Sequence, residues 1–114
     1  QRFLDFDIFH FSFNKKDYSI RYKNIIYFEK SLARVSVLTT DDEGYVLRIS
    51  MSDLMEKLNQ SFVQISRSHV VNAVFIKELK KGQVVLKNGE ILPMGRTFEA
   101  QAREKILNRL SGEV

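Results

Sequence analysis

The chain has 114 residues, of which 44% are hydrophobic and none is cysteine, and it carries 18 basic and 14 acidic side chains. This length is typical of one domain, so we expect a single globular unit over residues 1–114. The lack of cysteine excludes disulfides and thiolate metal sites and suits a reducing compartment. No uncharged apolar run approaches the roughly 18 residues of a membrane-spanning helix. Because the first residue is Gln1, we expect a fragment of a longer protein.

Positive charge is concentrated in the second half of the sequence. Residues 1–61 contain nine basic and nine acidic side chains, whereas residues 62–110 contain nine basic and four acidic ones. An anionic partner would require such a basic surface. Charge alone also fits an ordinary lysine-rich surface, so both interpretations stay open at this point.

Short strands are predicted through the first half of the chain. Phe9, Phe11 and Phe13 alternate with polar residues, which is the period of a half-buried strand. The segments YSIRY and NIIYFEK continue this pattern. The segment ARVSVLTT, the turn DDEG and the segment YVLRIS then predict a hairpin over residues 34–50.

A short helix is predicted directly after this hairpin. Ser50 is followed three residues later by Asp53, which is a pattern typical of a helix start. The apolar stripe of this helix would consist of Leu54, Met55 and Leu58. Its length should be two to three turns.

Strands return in the second half, and a helix ends the chain. FVQIS, VFIKEL, QVVLK and EILPM each predict a strand. Asn88-Gly89 predicts a tight hairpin turn in which both central residues have positive φ. From Arg96 the pattern becomes helical, and its core stripe recurs every four residues at Phe98, Ala102, Ile106 and Leu110.

The polar segment SRSH, residues 66–69, interrupts two apolar segments. Arg67 can pair with guanine O6 and N7 or grip a phosphate, and Ser66 and Ser68 can donate to phosphate oxygens. A second arginine, Arg96, follows Gly95 at the exit of a predicted strand. A plain solvated turn, with Thr97 capping the last helix, is the alternative at each place.

Catalysis finds little support in the sequence. The acidic cluster Asp41, Asp42 and Glu43 belongs to the predicted turn. A serine nucleophile near His69 would need an orienting group, and no acyl-transfer elbow or glycine-rich phosphate loop accompanies it. His10 and His69 are too far apart to suggest a metal motif. We therefore expect no enzyme activity, no cofactor and no metal.

The combination of these residues resembles a known family, the LytTR domain, which is the DNA-binding output domain of many bacterial response regulators. The resemblance covers about residues 11–107. It is carried by Phe62, Arg67, Ser68, His69, Val71, Asn72, Ile76, Leu92, Pro93 and Arg96. Ser66 stands where the family usually has histidine, and Gly95 stands where it usually has serine.

The resemblance implies a mainly β fold, an elongated arrangement of small antiparallel sheets with one short internal helix and one C-terminal helix. It implies sequence-specific binding of double-stranded DNA, with loop arginines entering successive major grooves. Base contacts would come from Arg67, Arg96 and Arg34. Contacts to the DNA backbone would come from Lys30, Ser31, Ser66, Ser68, Lys80, Lys81 and Thr97. His69 and Asn72 would support the loop.

The resemblance also implies partners for this chain. We expect paired direct repeats in the DNA, a dimer on DNA, and a receiver or sensor domain outside this fragment, all in the cytoplasm. The alternative is a protein-interaction or regulatory module that has the same fold without DNA binding of its own. Loss of DNA affinity at low salt, together with binding of another protein, would favour that alternative.

Overall fold

The computed structural model describes residues 7–41 and 43–111. These residues form ten short strands and two helices, so the predicted mainly β fold of small antiparallel sheets is confirmed. The chain divides into two compact units, with the boundary between Asn59 and Gln60.

The first unit contains five strands and helix α1. β1 pairs with β2 as a hairpin, and β3, β4 and β5 pair antiparallel in chain order. The bounds are Ile8–Phe13 (β1), Lys16–Arg21 (β2), Ile25–Ser31 (β3), Arg34–Thr39 (β4), Gly44–Leu47 (β5) and Met51–Lys57 (α1). A 3₁₀ turn, Tyr22–Asn24, joins β2 to β3.

Aromatic packing organises this unit. The predicted alternation in β1 is present, because Phe9 and Phe11 are buried while Phe13 is half-buried. The ring of Phe9 meets that of Phe28 edge to face at 5.4 Å, and Phe11 meets Tyr45 at 5.3 Å. Such edge-to-face pairs add to the stabilisation from burial.

Two turns in the first unit place non-glycine residues at positive φ. Asn14 and Lys15, at φ 54° and 63°, join β1 to β2. Leu32, at φ 58°, lies in the β3–β4 turn, which Ser31 and Arg34 close as a cross-strand pair. Leu32 is 93% exposed, so its side chain makes little packing contact that could offset the strain of its left-handed backbone.

The β4–β5 turn is held by its own side chains. The Thr39 hydroxyl donates to Asp41 Oδ1 at 2.6 Å, and Glu43 N–H donates to the same oxygen at 3.2 Å. These two bonds lower the pKa of Asp41, with the Thr39 bond as the larger cause. The hairpin predicted here is confirmed, while Asp42 lies outside the described residues.

Helix α1 begins where the sequence predicted. The Ser50 hydroxyl accepts a hydrogen bond from Asp53 N–H at 3.1 Å, which satisfies one of the free donors of the first turn. Leu54 is fully buried, whereas Met55 and Leu58 are half-buried.

The second unit contains five strands and helix α2. β6 pairs with β7 as a hairpin, and β8, β9 and β10 pair antiparallel in chain order. The bounds are Phe62–Gln64 (β6), His69–Asn72 (β7), Ile76–Lys80 (β8), Gln83–Leu86 (β9), Ile91–Pro93 (β10) and Glu99–Ser111 (α2). Val70, Val84, Leu86 and Ile106 are fully buried core residues of this unit.

The predicted strand VFIKEL is shorter than expected. Val74 and Phe75 belong to a 3₁₀ turn, Ala73–Phe75, and β8 begins only at Ile76. The reason is local, since the Asn72 side chain accepts a hydrogen bond from Val74 N–H and caps this turn.

The turn type predicted for Asn88-Gly89 was wrong, although the hairpin is present. Only Gly89 has positive φ, at 96°. Its N–H donates to the Leu86 carbonyl at 2.9 Å, and Leu86 N–H donates to the Glu90 carbonyl at 2.8 Å. This is a three-residue loop with glycine in the left-handed position. Asn88 Oδ1 accepts from Glu90 N–H at 2.9 Å. This side-chain bond stabilises the loop, and Asn88 does not adopt a left-handed conformation.

The predicted core stripe of the last helix is confirmed only for the two residues in its middle. Ala102 and Ile106 are buried, and Phe98, in the turn before α2, is half-buried. Leu110 was predicted as core but is 44% exposed. It lies in the last turn of α2, where the 3.6-residue period has rotated the four-residue stripe away from the packed side.

Candidate nucleic-acid interface

The segment 66–68, here called the arginine loop, closes the β6–β7 hairpin. Ile65 N–H donates to the His69 carbonyl at 3.0 Å just before the loop, and Gln64 pairs with Val70 in the register. Ile65 and Val70 are both fully buried. The apolar residues on either side therefore anchor the loop, and Arg67 at its centre is exposed.

Ser66 organises the inside of the arginine loop. Its hydroxyl lies 3.1 Å from His69 Nδ1 and accepts a hydrogen bond from Ser68 N–H at 3.2 Å. Gln64 Nε2 donates to the Ser66 carbonyl at 3.0 Å. Because a hydroxyl has a single proton to donate, a Ser66 that donates to His69 has none left for a phosphate oxygen.

A second arginine-bearing segment lies directly against the first. Gly95 N–H donates to the Ile65 carbonyl at 2.7 Å. A Cβ at Gly95 would lie 3.1 Å from Phe98 Cδ1 and 3.4 Å from Ser66 Cα, so any side chain there would be crowded. Gly95 therefore allows its backbone to lie close to Ser66 and Phe98 of the same unit. It brings the turn over residues 95–98, which contains Arg96, next to the arginine loop.

Arg67 and Arg96 are both exposed. Within the part of the chain that the structure describes, no hydrogen bond or ion pair engages either guanidinium. Two neighbouring segments of one unit therefore present arginines whose donors are available to an anionic or hydrogen-bonding partner.

Comparison with known proteins identifies the fold and the family. The family model described as the LytTr DNA-binding domain matches residues 15–107. The chain belongs to this family. Membership gives DNA binding in transcription regulation as its general function. A comparison with curated proteins gave no match.

A solved structure has the same fold. It is described as the LytTr DNA-binding domain of a methyl-accepting/DNA response regulator from Bacillus cereus. The TM-score is 0.74 at 17% sequence identity, and the alignment covers 88% of this chain and 96% of that one.

The residues that carried the LytTR resemblance separate into two groups. Phe62, Val71, Ile76 and Leu92 are buried, whereas Arg67 and Arg96 are exposed. Part of the family pattern in this LytTr domain thus builds the second unit. The exposed arginines are left for contacts with a partner.

The β8–β9 turn of the LytTr domain places Lys80 and Lys81 on the surface. Glu99, in the first turn of α2, fixes this turn by accepting from Gly82 N–H at 2.9 Å. Arg103 Nε lies 3.1 Å from the same carboxylate oxygen, and Arg103 Nη2 donates to the Lys80 carbonyl. The Gly82 bond, followed by Arg103, lowers the pKa of Glu99.

Two polar residues of the second unit are buried and support the segments around the arginine loop. Asn72, at 2% exposed, ends β7 and caps the following 3₁₀ turn. Ser61 precedes β6, and its hydroxyl accepts from Arg109 Nε at 3.1 Å and from Arg109 Nη2 at 2.9 Å. Arg109 and Arg103 are therefore engaged within the unit, where their guanidinium donors are already used and the Arg103 charge is paired with Glu99.

The remaining predicted contacts are distributed over both units. Thr97 is exposed beside Arg96. In the first unit, Lys30 and Ser31 end β3, and Arg34 begins β4 and is exposed. Arg48 directly follows β5 and was not among the predicted contacts, although it lines the same groove as Arg34. Counting residues outward from the predicted DDEG turn, along the strand before it and the strand after it, is the signal that could have found Arg48.

No helix within residues 7–41 and 43–111 is long and apolar enough to cross a membrane. Over the same residues, His, Asp and Glu side chains form no group of three that could hold a metal ion.

Proposed function

We propose that this LytTr domain binds double-stranded DNA sequence-specifically, with Arg67 and Arg96 as base-reading residues. The observation that carries the proposal is the hydrogen bond between Gly95 N–H and the Ile65 carbonyl at 2.7 Å. It joins the two arginine-bearing segments through the backbone, so their spacing is fixed before DNA arrives. A guanidinium that pairs with guanine in the major groove through two hydrogen bonds gives about 1–3 kcal/mol of discrimination.

Backbone contacts are proposed from the residues around these two arginines. Lys80 and Lys81 are exposed on a turn that Glu99 and Arg103 hold in place. Ser68 and Thr97 flank the two arginines and carry hydroxyls for phosphate oxygens. Ser66, His69 and Asn72 have a supporting role in this proposal, because their polar atoms already bond within the unit.

The predicted contacts of the first unit are Lys30, Ser31 and Arg34. The first two end β3 on the β3–β4 turn, so we keep them as proposed contacts to the DNA backbone. Arg34, which was predicted to read a base, begins β4 in the same unit.

The domain is proposed to act as the output part of a longer cytoplasmic regulator, dimerising on paired direct repeats. The expectation derives from the response regulators in which this family occurs. Selection of bound sites from random duplexes tests both parts, since a dimer on repeats would enrich one short motif twice at a constant spacing.

The test of base reading compares Arg67→Ala with Lys80→Ala on the selected duplex and on scrambled duplexes. Arg67→Ala should cost about 1–3 kcal/mol on the selected duplex and relax the preference at one base pair. Lys80→Ala should weaken all duplexes equally and reduce the slope of log affinity against log salt by about one.

Lys105→Ala is the matched control, because it removes an exposed positive charge from α2 outside the proposed contacts. Equal affinity of the parent domain for selected and scrambled duplexes would contradict base reading. No DNA binding at low salt, with binding of another protein, would instead favour a protein-interaction module of the same fold.

A further inference from the structure

Two arginines lie at the open end of the β4–β5 hairpin. The last pair in the register is Val35 with Leu47, and Arg34 and Arg48 are the residues next to that pair, Arg34 at the start of β4 and Arg48 directly after β5. Both side chains are exposed. Like charges held close together at neighbouring strand ends repel each other.

Both arginines line the same open groove in the first unit. Its volume is about 640 Å³, and its other lining residues are Ser12, Phe13, Asn14 and Val46. None of these is acidic. The groove is large enough for a phosphate together with the sugar attached to it, and the half-buried ring of Phe13 gives it an apolar wall.

No described carboxylate forms an ion pair with either arginine. Asp17 lines a neighbouring groove together with Arg48, and its Oδ1 accepts from the Ser12 hydroxyl at 2.7 Å. Over residues 7–41 and 43–111, neither Arg34 nor Arg48 forms an ion pair. The positive charge at this place is therefore left for a partner from outside the unit.

We infer that Arg34 and Arg48 together bind one phosphate group. Guanidinium groups match phosphate through paired, charge-assisted hydrogen bonds, and a phosphate between them replaces repulsion with two attractions. The Asn14 amide, which lines the groove, adds a neutral donor. Arg34 then fixes the position of its ligand and does not read a base.

The phosphate can belong to the DNA backbone or to a free phosphorylated molecule. The first source rests on the proposed function, and the second does not. The experiment therefore has two arms, one with DNA and one with inorganic pyrophosphate as the probe.

In the DNA arm, Arg34→Gln, Arg48→Gln and the double variant are titrated with the selected and scrambled duplexes at several salt concentrations. Each single variant should lose about tenfold in affinity for every duplex, and the double variant should lose about one in salt slope. The double variant should lose less than the product of the single effects, because both arginines share one phosphate. Arg21→Gln, an exposed arginine outside the groove, is the charge control.

In the second arm, binding of pyrophosphate to the DNA-free domain is followed by amide chemical shifts. The parent domain should show shifts confined to the groove, and both glutamine variants should lose them. This arm decides the matter even if the domain binds no DNA, so failure of the proposed function is distinguished from failure of this inference. Loss of pyrophosphate binding with DNA affinity unchanged assigns the site to a free phosphorylated ligand.

Two results would overturn the inference. One is unchanged affinity for both probes in Arg48→Gln. The other is an Arg34→Gln effect restricted to one base pair, which would make Arg34 a base reader. Thermal unfolding serves as the folding control, and both variants should unfold at or above the parent temperature because repulsion is removed.

Discussion

Replacing Leu32 by asparagine should stabilise the domain. Leu32 occupies the left-handed region at φ 58°, a conformation that costs an ordinary residue about 1–2 kcal/mol and that asparagine adopts more readily. The side chain is 93% exposed, so its removal loses only about 0.2 kcal/mol of burial. The net expectation is a gain of about 1 kcal/mol in the free energy of unfolding, which is about 4 °C in Tm.

Urea denaturation and calorimetry of Leu32→Asn measure this gain directly. Ala33→Asn is the matched control, since Ala33 lies in the same turn without positive φ and should bring no gain. Equal or lower stability of Leu32→Asn would show that the turn carries no such strain. The reasoning about its backbone would then be wrong.

Two further predictions concern the second unit. Asn72→Ala should lower the free energy of unfolding by about 1 kcal/mol in urea denaturation, because the buried Asn72 side chain no longer caps the 3₁₀ turn by accepting from Val74 N–H; an unchanged midpoint would contradict this. Glu99 has a lowered pKa, so its contribution should be complete above its ordinary value of 4.5 and disappear as pH falls through the lower folded value. Glu99→Gln should therefore be less stable than the parent at pH 7 and approach it in acid, whereas a constant difference across pH would exclude this linkage.

The elements that the sequence predicted well are those whose signal is local. Alternating phenylalanines mark β1, and the Ser50–Asp53 pair marks the start of α1 through a hydrogen bond between residues three apart. Asn88-Gly89 marked a hairpin correctly. Its geometry was missed because the Asn88 side chain bonds to Glu90 N–H, a choice that composition does not reveal.

The features that the sequence did not predict depend on residues brought together by the fold. Nothing near Leu32 signals positive φ, because no glycine or asparagine stands in that turn. Arg103 and Arg109 counted as free positive charge, yet their partners, the Lys80 carbonyl and the Ser61 hydroxyl, are 23 and 48 residues away in the chain. These hydrogen bonds to neutral oxygens leave the positive charge in place but use guanidinium donors that would otherwise be available to a partner.

The contact between Gly95 and Ser66 has a consequence for how such a protein could change its target. A methyl group added at residue 95 would press on Phe98 Cδ1 at 3.1 Å, whereas its 3.4 Å distance to Ser66 Cα is an ordinary contact, so the Phe98 ring just before α2 would have to move. A shift of a few tenths of an ångström in this turn would change the direction in which the Arg96 side chain extends. The residue at position 95 would then influence which DNA sites the domain prefers without contacting the DNA itself.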